Sequence, residues 1–376
     1  MICLTLLFAA SGCSEQMHNL PVTTTAAATV STTVSTTTVK RTTAAAVTSP
    51  AATTSSAVTT LPIATTTATA TTAATTTSIA AATTATTAVT TTAATTATTE
   101  VEDTPVLSDK YIEIDGSFIE ACDPFDEKSI SRFAEKMKSV KSKYPDNRAV
   151  LALIPDKSYY AIETIGEKAL DHTLMTTALS QNLSGWSMVE LSDLYTWDDF
   201  YLTDLHWRQE ILLDTATRLG SALGISIDTE NFTETTIGPF YGIYAQSASE
   251  SAEELVLLDH PDFADVTVKH YEKPCTSVYD LDAVDSDNSY DVFLSGASPL
   301  TVITNPHAEK GTSLLVFRDS FASSLVPLLI PNYETITMVD LRYMHSSLLK
   351  QFVPTTDGDI LFLYSARVVN NSAMLR

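Results

Sequence analysis

The chain has 376 residues, with 45 acidic and 22 basic side chains and a formal net charge of −23 at pH 7. Positions 1–100 hold only two acidic and two basic residues, so the other 43 acids and 20 bases belong to the part that follows. A surface with this excess of carboxylates repels phosphate backbones, which argues against a nucleic-acid partner.

The chain begins with a short apolar segment that is typical of an export signal. Residues 2–10 are mainly apolar, and at nine residues they fall far below the about 20 that span a bilayer, as in a signal peptide. Residues 10–13 read Ala-Ser-Gly-Cys, which resembles the lipobox of bacterial lipoproteins, where the cysteine is lipidated. Alanine stands where leucine is commoner, and no basic residue precedes the run, so an ordinary cleaved signal with an incidental cysteine is the alternative. We predict a lipoprotein signal peptide and lipobox over 1–13, with Cys13 lipidated.

Residues 14–104 are predicted to be a long disordered tether. They are dominated by Thr, Ala, Ser and Val and hold no aromatic residue. Because such a segment has no apolar face to pack, it stays extended and unfolded. The foldable part is therefore 105–376, which the tether joins to the lipid anchor at the membrane.

Residues 105–376 alternate between apolar runs and amphipathic segments. The apolar run 149–154 is typical of a strand buried on both faces, and 127–143 carries apolar residues at helical spacing. This alternation predicts an α/β fold with a parallel sheet, right-handed crossovers and helices on both faces. The stretch 225–305 breaks the alternation and is predicted to be an inserted β-rich subdomain. The predicted strands are 111–114, 149–154, 188–191, 314–317, 335–339 and 360–364, and the predicted helices are 127–143, 164–181, 207–223, 321–330 and 345–352.

The cysteines of the foldable part do not form a metal-binding pattern. Cys122 and Cys275 are isolated in the sequence, without the CxxC spacing that zinc sites use. A disulfide between them is possible, but it depends on a proximity that the sequence does not show. We predict no metal ion and no cofactor.

The best candidate for chemistry is Ser320, which follows the predicted strand 314–317 and opens a predicted helix. In parallel α/β sheets, ligands bind beyond the carboxyl ends of the strands. A serine hydroxyl needs an adjacent base to act as a nucleophile. A serine in this place is also a common helix cap, so Ser320 alone does not establish catalysis.

A second candidate is the pair Asp204 and His206, directly before the predicted helix 207–223. The simplest interpretation is that Asp204 caps this helix. The two side chains can also project together, with the carboxylate orienting the imidazole and the imidazole reaching Ser320. The second interpretation predicts a triad of Ser320, His206 and Asp204.

At this point the sequence resembles the DHHW family, named for Asp-His-His-Trp: exported proteins of Gram-positive bacteria related to the alginate O-acetylation proteins of the SGNH hydrolase superfamily. Residues 204–207 read Asp-Leu-His-Trp, so Leu205 stands where the family has its first histidine. The resemblance implies an SGNH hydrolase-like, flavodoxin-like fold, with Ser320 as nucleophile, His206 as base and Asp204 as its orienting acid. The other matching segments, within about 108–370, are Pro155-Asp156-Lys157, Tyr290 with Phe293-Leu294-Ser295-Gly296, Asp319-Ser320-Phe321 with Leu325-Val326-Pro327, and Asp340-Leu341-Arg342-Tyr343.

We therefore predict a lipid-anchored, extracytoplasmic acyl-ester enzyme on the surface of a Gram-positive bacterium. It would be an O-acetyltransferase or an O-acetylesterase acting on a cell-wall or capsular glycan, with a membrane-bound O-acyltransferase as a candidate partner. The alternative is a non-catalytic glycan-binding or scaffold lipoprotein that keeps the fold. The candidates for oxyanion or substrate contacts are Gly296, Arg318, Arg342 and Trp207. Arg342 is equally plausible as a buried partner of Asp319 or Asp340. The aromatic residues expected to be exposed for sugar stacking are Trp186, Tyr195, Trp197 and Phe200.

Overall fold

The structure is a computed structural model that describes residues 110–244, 253–271, 277–286 and 288–376. The predicted signal peptide, the lipidation site Cys13, the tether over 14–104 and Cys275 lie outside the described residues. Within the described ranges, no helix has the length and apolar character needed to cross a membrane. The same ranges hold no cluster of three or more His, Cys, Asp or Glu side chains suited to a metal ion.

The described residues form eleven strands and seven α-helices, joined by short 3₁₀ segments. The strands are β1 (Tyr111–Ile114), β2 (Ser117–Glu120), β3 (Ala149–Ile154), β4 (Ser187–Val189), β5 (Thr233–Phe240), β6 (Glu253–Asp259), β7 (Thr267–His270), β8 (Leu300–Thr304), β9 (Ser313–Arg318), β10 (Thr335–Val339) and β11 (Asp359–Ser365). The helices are α1 (Glu127–Lys141), α2 (Ile162–Ile165), α3 (His172–Asn182), α4 (Leu213–Leu223), α5 (Ala322–Leu325), α6 (Leu349–Phe352) and α7 (Ala366–Asn370).

Seven strands make one large, mostly parallel sheet in the order β4-β3-β11-β9-β10-β8-β7. The pairs from β4 to β10 are parallel, and β8 is antiparallel to both of its neighbours. The predicted α/β class with a mainly parallel sheet is confirmed. The central strand β9 ends at Arg318, which places Ser320 just beyond the carboxyl edge of the sheet.

Successive residues of the central strands face opposite layers of the core. In β3, Val150 and Ala152 belong to the apolar cluster that includes the buried side of α4, whereas Leu151 and Leu153 belong to the cluster that includes α1 and α3. Helices therefore cover both faces of the sheet. A strand buried on both sides has no polar positions, which explains why residues 149–154 form an unbroken apolar run.

The stretch 225–305 differs from the inserted subdomain that the sequence predicts. Strands β5 and β6 form a separate two-stranded antiparallel sheet. Strands β7 and β8, in the same stretch, instead extend the main sheet at its edge. Antiparallel neighbours need no crossover helix, so the strand–helix alternation that indicates the parallel part is missing here.

The helix predicted over 207–223 begins only at Leu213. Residues 200–207 instead form a closed turn, in which Phe200 and Trp207 pair as an isolated antiparallel bridge. This segment is called the 200–207 turn below. Asp204, which lies within it, therefore caps no helix, and the simplest alternative to a functional role for its carboxylate is wrong.

Candidate active site

Ser320 lies in a tight turn between β9 and α5, and its side chain is partly exposed. The buried carboxylate of Asp319 holds this turn. Its Oδ1 accepts the Phe321 N–H at 3.1 Å, and its Oδ2 accepts the N–H of Ser365, at the end of β11, at 2.7 Å. Because both oxygens of Asp319 are bound to backbone groups, this residue fixes the position of Ser320 against the neighbouring strand.

The 200–207 turn brings Asp204 and His206 to Ser320. The Nε2 of His206 lies 2.9 Å from the Ser320 Oγ, and its Nδ1 lies 2.6 Å from the Asp204 Oδ1. Asp204 is fully buried and His206 almost so. The three predicted side chains thus form one continuous hydrogen-bonded chain, although 114 residues separate His206 from Ser320.

The surroundings of Asp204 favour one tautomer of His206. The carboxylate accepts three N–H groups, namely the His206 ring Nδ1, the His206 backbone N–H at 2.9 Å and the Ile243 N–H at 3.0 Å. Burial alone would raise the pKa of Asp204, but the charge of His206 and these hydrogen bonds hold it below its usual value. An ionised carboxylate keeps a proton on Nδ1, which leaves the Nε2 lone pair to accept the Ser320 hydroxyl.

Aromatic rings fix the plane of the His206 imidazole. The Tyr290 ring stacks on it at a centroid distance of 3.7 Å and an angle of 9°, and Phe321 packs at 4.6 Å. The Tyr290 hydroxyl bonds to the Ser324 Oγ at 2.7 Å. Burial raises the pKa of Tyr290 far above its ordinary value, so its phenol stays neutral. The imidazole therefore cannot rotate away from Ser320 without displacing these packed rings.

Trp207 is a core residue and does not face a substrate. Its side chain is fully buried, and its indole N–H donates to the Ser324 Oγ at 2.9 Å. Its sequence-based assignment as a substrate contact is therefore wrong. The large ring fills the space between the 200–207 turn and the segment that follows Ser320, which removes it from the surface.

The aromatic residues expected to be exposed upstream of the turn are largely packed. Tyr195 and Phe200 are buried. Trp186 is half-buried beside Phe362, at a ring distance of 5.2 Å, and Trp197 is half-buried with the Lys157 ammonium 5.0 Å from its ring. Large apolar rings gain more by completing the core than by facing water, and this gain overrides their position in a polar loop.

Of the remaining candidates, Arg318 and Gly296 are both buried and are joined by a hydrogen bond. Arg318 is 1% exposed and donates to the carbonyls of Asp319 at 3.3 Å and Gly296 at 3.4 Å. Leu294, Ser295 and Gly296 all have positive φ angles, of 53°, 53° and 78°. A side chain at Gly296 would clash, since its Cβ would lie 2.3 Å from the Asp291 Oδ1. Arg318 thus supports this left-handed segment and is too buried to reach a substrate.

Arg342 makes a bidentate ion pair with buried Asp340, with distances of 3.0 Å from Nε to Oδ1 and 2.7 Å from Nη2 to Oδ2. The sequence left Asp319 and Asp340 open as its partner, and the structure selects Asp340. This pairing engages two of the five N–H groups of the guanidinium at the end of β10. Among the described residues, the hydrogen bonds of the Arg342 side chain go to Asp340 and none goes to Ser320.

Gly242 is a site residue that the sequence did not reveal. A Cβ at this position would lie 2.2 Å from the Thr203 carbonyl oxygen and 2.5 Å from the Asp204 Cβ. Only glycine lets the next residue, Ile243, bring its N–H to the Asp204 carboxylate. The sequence identifies Tyr290 only as part of a segment that matches the DHHW family, and no local pattern indicates that its ring stacks on His206.

Cys122 lies apart from this chain of residues, with its sulfur among the polar side chains of Asp156, Ser158 and Arg367. It forms no disulfide with a described residue, and a pairing with Cys275 stays a prediction. The Arg367 guanidinium donates to its sulfur at 3.1 Å. Burial, together with the charge of Asp156, raises the pKa of this thiol to about 12.

These features define an α/β protein with a hydrogen-bonded Ser–His–Asp arrangement at the carboxyl edge of a mostly parallel sheet. Residues 173–339 match the family model of the DHHW proteins, which confirms the predicted resemblance to that family. A search of curated proteins gave no match.

Solved structures share the fold at low sequence identity. A DHHW family protein from Eubacterium siraeum is 18% identical, with a TM-score of 0.57 over 70% of this chain and 92% of that one. Bacillus cereus PatB1, solved with a sulfonyl adduct, is 18% identical, with a TM-score of 0.56 over 69% of this chain and 97% of that one. The O-acetyltransferase domain of Pseudomonas putida AlgJ is a more distant likeness, at 11% identity and a TM-score of 0.39 over 70% of this chain and 90% of that one.

Proposed function

We propose that the protein is an acyl-ester enzyme in which Ser320 is the nucleophile, His206 the general base and Asp204 the residue that orients the base. The observation that carries this proposal is the Ser320–His206–Asp204 chain, with its 2.9 and 2.6 Å contacts. A serine becomes nucleophilic when a positioned base can accept its proton, and a buried carboxylate holds that base in the required tautomer.

The proposed reaction has two steps, the acylation of Ser320 and the transfer of the acyl group to a hydroxyl. In the first, the Ser320 Oγ bonds to the acyl carbonyl carbon while its proton moves to the His206 Nε2. The tetrahedral intermediate then collapses, His206 returns that proton to the departing group, and the acyl group stays on Ser320. In the second step, a hydroxyl gives its proton to His206 and attacks the acyl carbonyl carbon. The second tetrahedral intermediate collapses as the bond to the Ser320 Oγ breaks, and His206 returns the proton to this oxygen. The proposed backbone donor to the oxyanion is the N–H of Ser320 itself, because the N–H of the next residue, Phe321, already binds Asp319.

The second step decides between an O-acetyltransferase and an O-acetylesterase, because the attacking hydroxyl belongs to a sugar in one and to water in the other. We propose a cell-wall or capsular glycan as the carbohydrate partner, supported by the resemblance to the DHHW family and its alginate-modifying relatives. The same resemblance supports an SGNH hydrolase-like fold. A membrane-bound O-acyltransferase remains the proposed source of acyl groups.

We further propose that the protein acts outside the cytoplasm and is attached to the membrane by a lipid at Cys13. The support is the sequence over 1–13 and the Thr/Ala-rich composition of 14–104. Metabolic labelling with an alkyne fatty acid tests the proposal. Wild-type protein should incorporate the label and Cys13→Ala should not, whereas equal labelling of both proteins would contradict a lipid at Cys13.

The direct test of catalysis is covalent labelling of Ser320. A fluorophosphonate or sulfonyl fluoride probe should modify the purified protein at Ser320, as read by peptide mass spectrometry, and the protein should hydrolyse 4-nitrophenyl acetate. Ser320→Ala should abolish both signals, whereas Ser142→Ala, at an exposed serine that ends α1, should change neither. A folded wild-type protein that neither labels nor hydrolyses the ester would favour the non-catalytic glycan-binding alternative.

A further inference from the structure

We propose that Lys157 and Glu253 are positioning residues. They form hydrogen bonds to opposite sides of the backbone of the 200–207 turn and thereby hold His206 at hydrogen-bonding distance from Ser320. The proposal rests on the proposed function for its catalytic consequence, and on the hydrogen bonds of the turn for its structural content.

Lys157 binds the carbonyl side of the turn. Its side chain is 2% exposed and extends from the 3₁₀ segment that follows β3. The ammonium donates to the carbonyl of Tyr201 at 2.7 Å and to that of Phe118, in β2, at 2.9 Å. The carbonyls of Leu202 and Asp204 lie at 3.4 Å. The lysine is thus solvated by backbone dipoles, three of which belong to the 200–207 turn.

Glu253 binds the N–H side of the same turn. Its Oε2 accepts the Leu202 N–H at 2.6 Å, and its Oε1 accepts the Thr203 N–H at 2.9 Å and the Thr203 hydroxyl at 3.2 Å. Glu253 is 7% exposed and begins β6. The separate β5–β6 sheet therefore supplies a carboxylate to the segment that carries the acid and the base.

The two contacts are complementary in charge. The ammonium meets carbonyl oxygens and the carboxylate meets N–H groups, so each charge stabilises the dipoles of the same few peptide units. Burial lowers the pKa of Lys157 to about 7, with Glu253 and Asp204 acting in the opposite direction. A buried ammonium is costly, and an apolar side chain would fill the same space without that cost. Its presence is explained by the carbonyl groups that it holds together.

Asp204 and His206 follow directly after Leu202 and Thr203 in the same turn. Loss of the hydrogen bonds to Lys157 or Glu253 would therefore let the imidazole move relative to Ser320. A misplacement of about 1 Å at a reacting group costs on the order of 100-fold in rate. The effect should appear in kcat, because neither Lys157 nor Glu253 has an open surface from which to bind a substrate.

The test uses the full chain with Lys157→Met, Glu253→Gln and the double variant, assayed on 4-nitrophenyl acetate. Each single variant should lower kcat by roughly 10- to 100-fold with KM within about twofold. The double variant should lose much less than the product of the two single losses, because both act on one turn. The control is Lys141→Met, since Lys141 donates to the carbonyls of Tyr144 and Pro145 at 2.9 Å each, at the far end of α1. This control should leave kcat unchanged.

A second readout does not depend on activity. Hydrogen exchange of the Leu202 and Thr203 amides should become at least about tenfold faster in Glu253→Gln, as loss of a protecting hydrogen bond lowers the opening free energy. Active single variants with wild-type kcat, or unchanged exchange at both amides, would overturn the proposal. If the wild type proves inactive while the amides respond as expected, the proposed catalysis fails. The proposal that Lys157 and Glu253 hold the turn by hydrogen bonds then still stands. Should Lys157→Met fail to fold, Glu253→Gln alone decides by the same criteria.

Discussion

Replacing Asp204 with asparagine separates a catalytic carboxylate from a merely structural one. Three N–H donors converge on this side chain, two from His206 on Oδ1 and one from Ile243 on Oδ2. Asparagine offers one oxygen and one NH₂ group, so it cannot accept from both sides. Either the NH₂ faces Ile243, or it faces His206 and forces the ring proton from Nδ1 to Nε2.

Both orientations of the asparagine side chain lower the folding stability and kcat. Either one leaves a buried N–H group without an acceptor, which costs about 1–3 kcal/mol of folding stability. For a domain of this size, each kcal/mol lowers Tm by about 2–4 °C. If the ring proton moves to Nε2, that nitrogen can no longer accept the Ser320 proton, and the expected loss in kcat is up to roughly 10⁴-fold. If the tautomer survives, the imidazolium still loses its charged partner, and the loss should exceed roughly 10-fold.

Turnover of 4-nitrophenyl acetate and thermal melting should be measured on the same preparations of wild type and Asp204→Asn. Asp198→Asn makes the same chemical change at an exposed position six residues before Asp204, and it should alter neither quantity. A folded Asp204→Asn protein with turnover within about threefold of the wild type would refute the triad and leave Asp204 as a structural residue.

Three further outcomes follow from the structure. Gly242→Ala places a Cβ 2.2 Å from the Thr203 carbonyl, so urea unfolding should show a loss of at least about 1–3 kcal/mol, with turnover falling too; unchanged stability would contradict the close contact. Trp207→Phe removes the hydrogen bond to Ser324, so stability should fall by about 1 kcal/mol while KM stays constant; a raised KM would restore Trp207 as a substrate contact. Lys157 has a folded-state pKa of about 7, below its ordinary 10.5, so the folded state holds fewer protons and stability should rise between pH 7 and 9 by up to about 1.4 kcal/mol per pH unit. Urea unfolding should show a smaller rise in Lys157→Met, and equal slopes would contradict the lowered pKa of Lys157.

The parallel part of the fold could be predicted because its strands are buried on both sides. Residues 149–154 and 335–339 of this sheet are predicted at their observed bounds. In 149–154, the continuous apolar run with turn residues at each end leaves little ambiguity. Strands β7 and β8, at one end of the sheet, could not be predicted this way. They are short and antiparallel, and β8 pairs with β10, a partner that follows it by more than thirty residues.

The candidate site, too, has a residue that the sequence predicts and a pairing that it does not. Ser320 could be predicted because a residue that directly follows a central parallel strand lies at the sheet's carboxyl edge, whatever the rest of the chain does. The partner of Arg342 could not be chosen, because the choice depends on which carboxylate is already occupied. Asp319 binds the N–H groups of Phe321 and Ser365, and the second of these comes from a strand more than forty residues away.

The motif around His206 contains both the imidazole and Trp207, the residue that helps to fix the distance of the imidazole from Ser320. The Trp207 N–H and the Tyr290 hydroxyl both bond to the Ser324 Oγ, on the segment that follows Ser320. Tyr290 also stacks on the His206 ring. The 200–207 turn, the Tyr290 segment and the segment that follows Ser320 therefore meet at the buried hydroxyl of Ser324. A tryptophan next to His206 is accordingly explained by the need to anchor the turn. An imidazole carried by a loop keeps its distance to Ser320 only if that loop is bonded to the segment that carries Ser320.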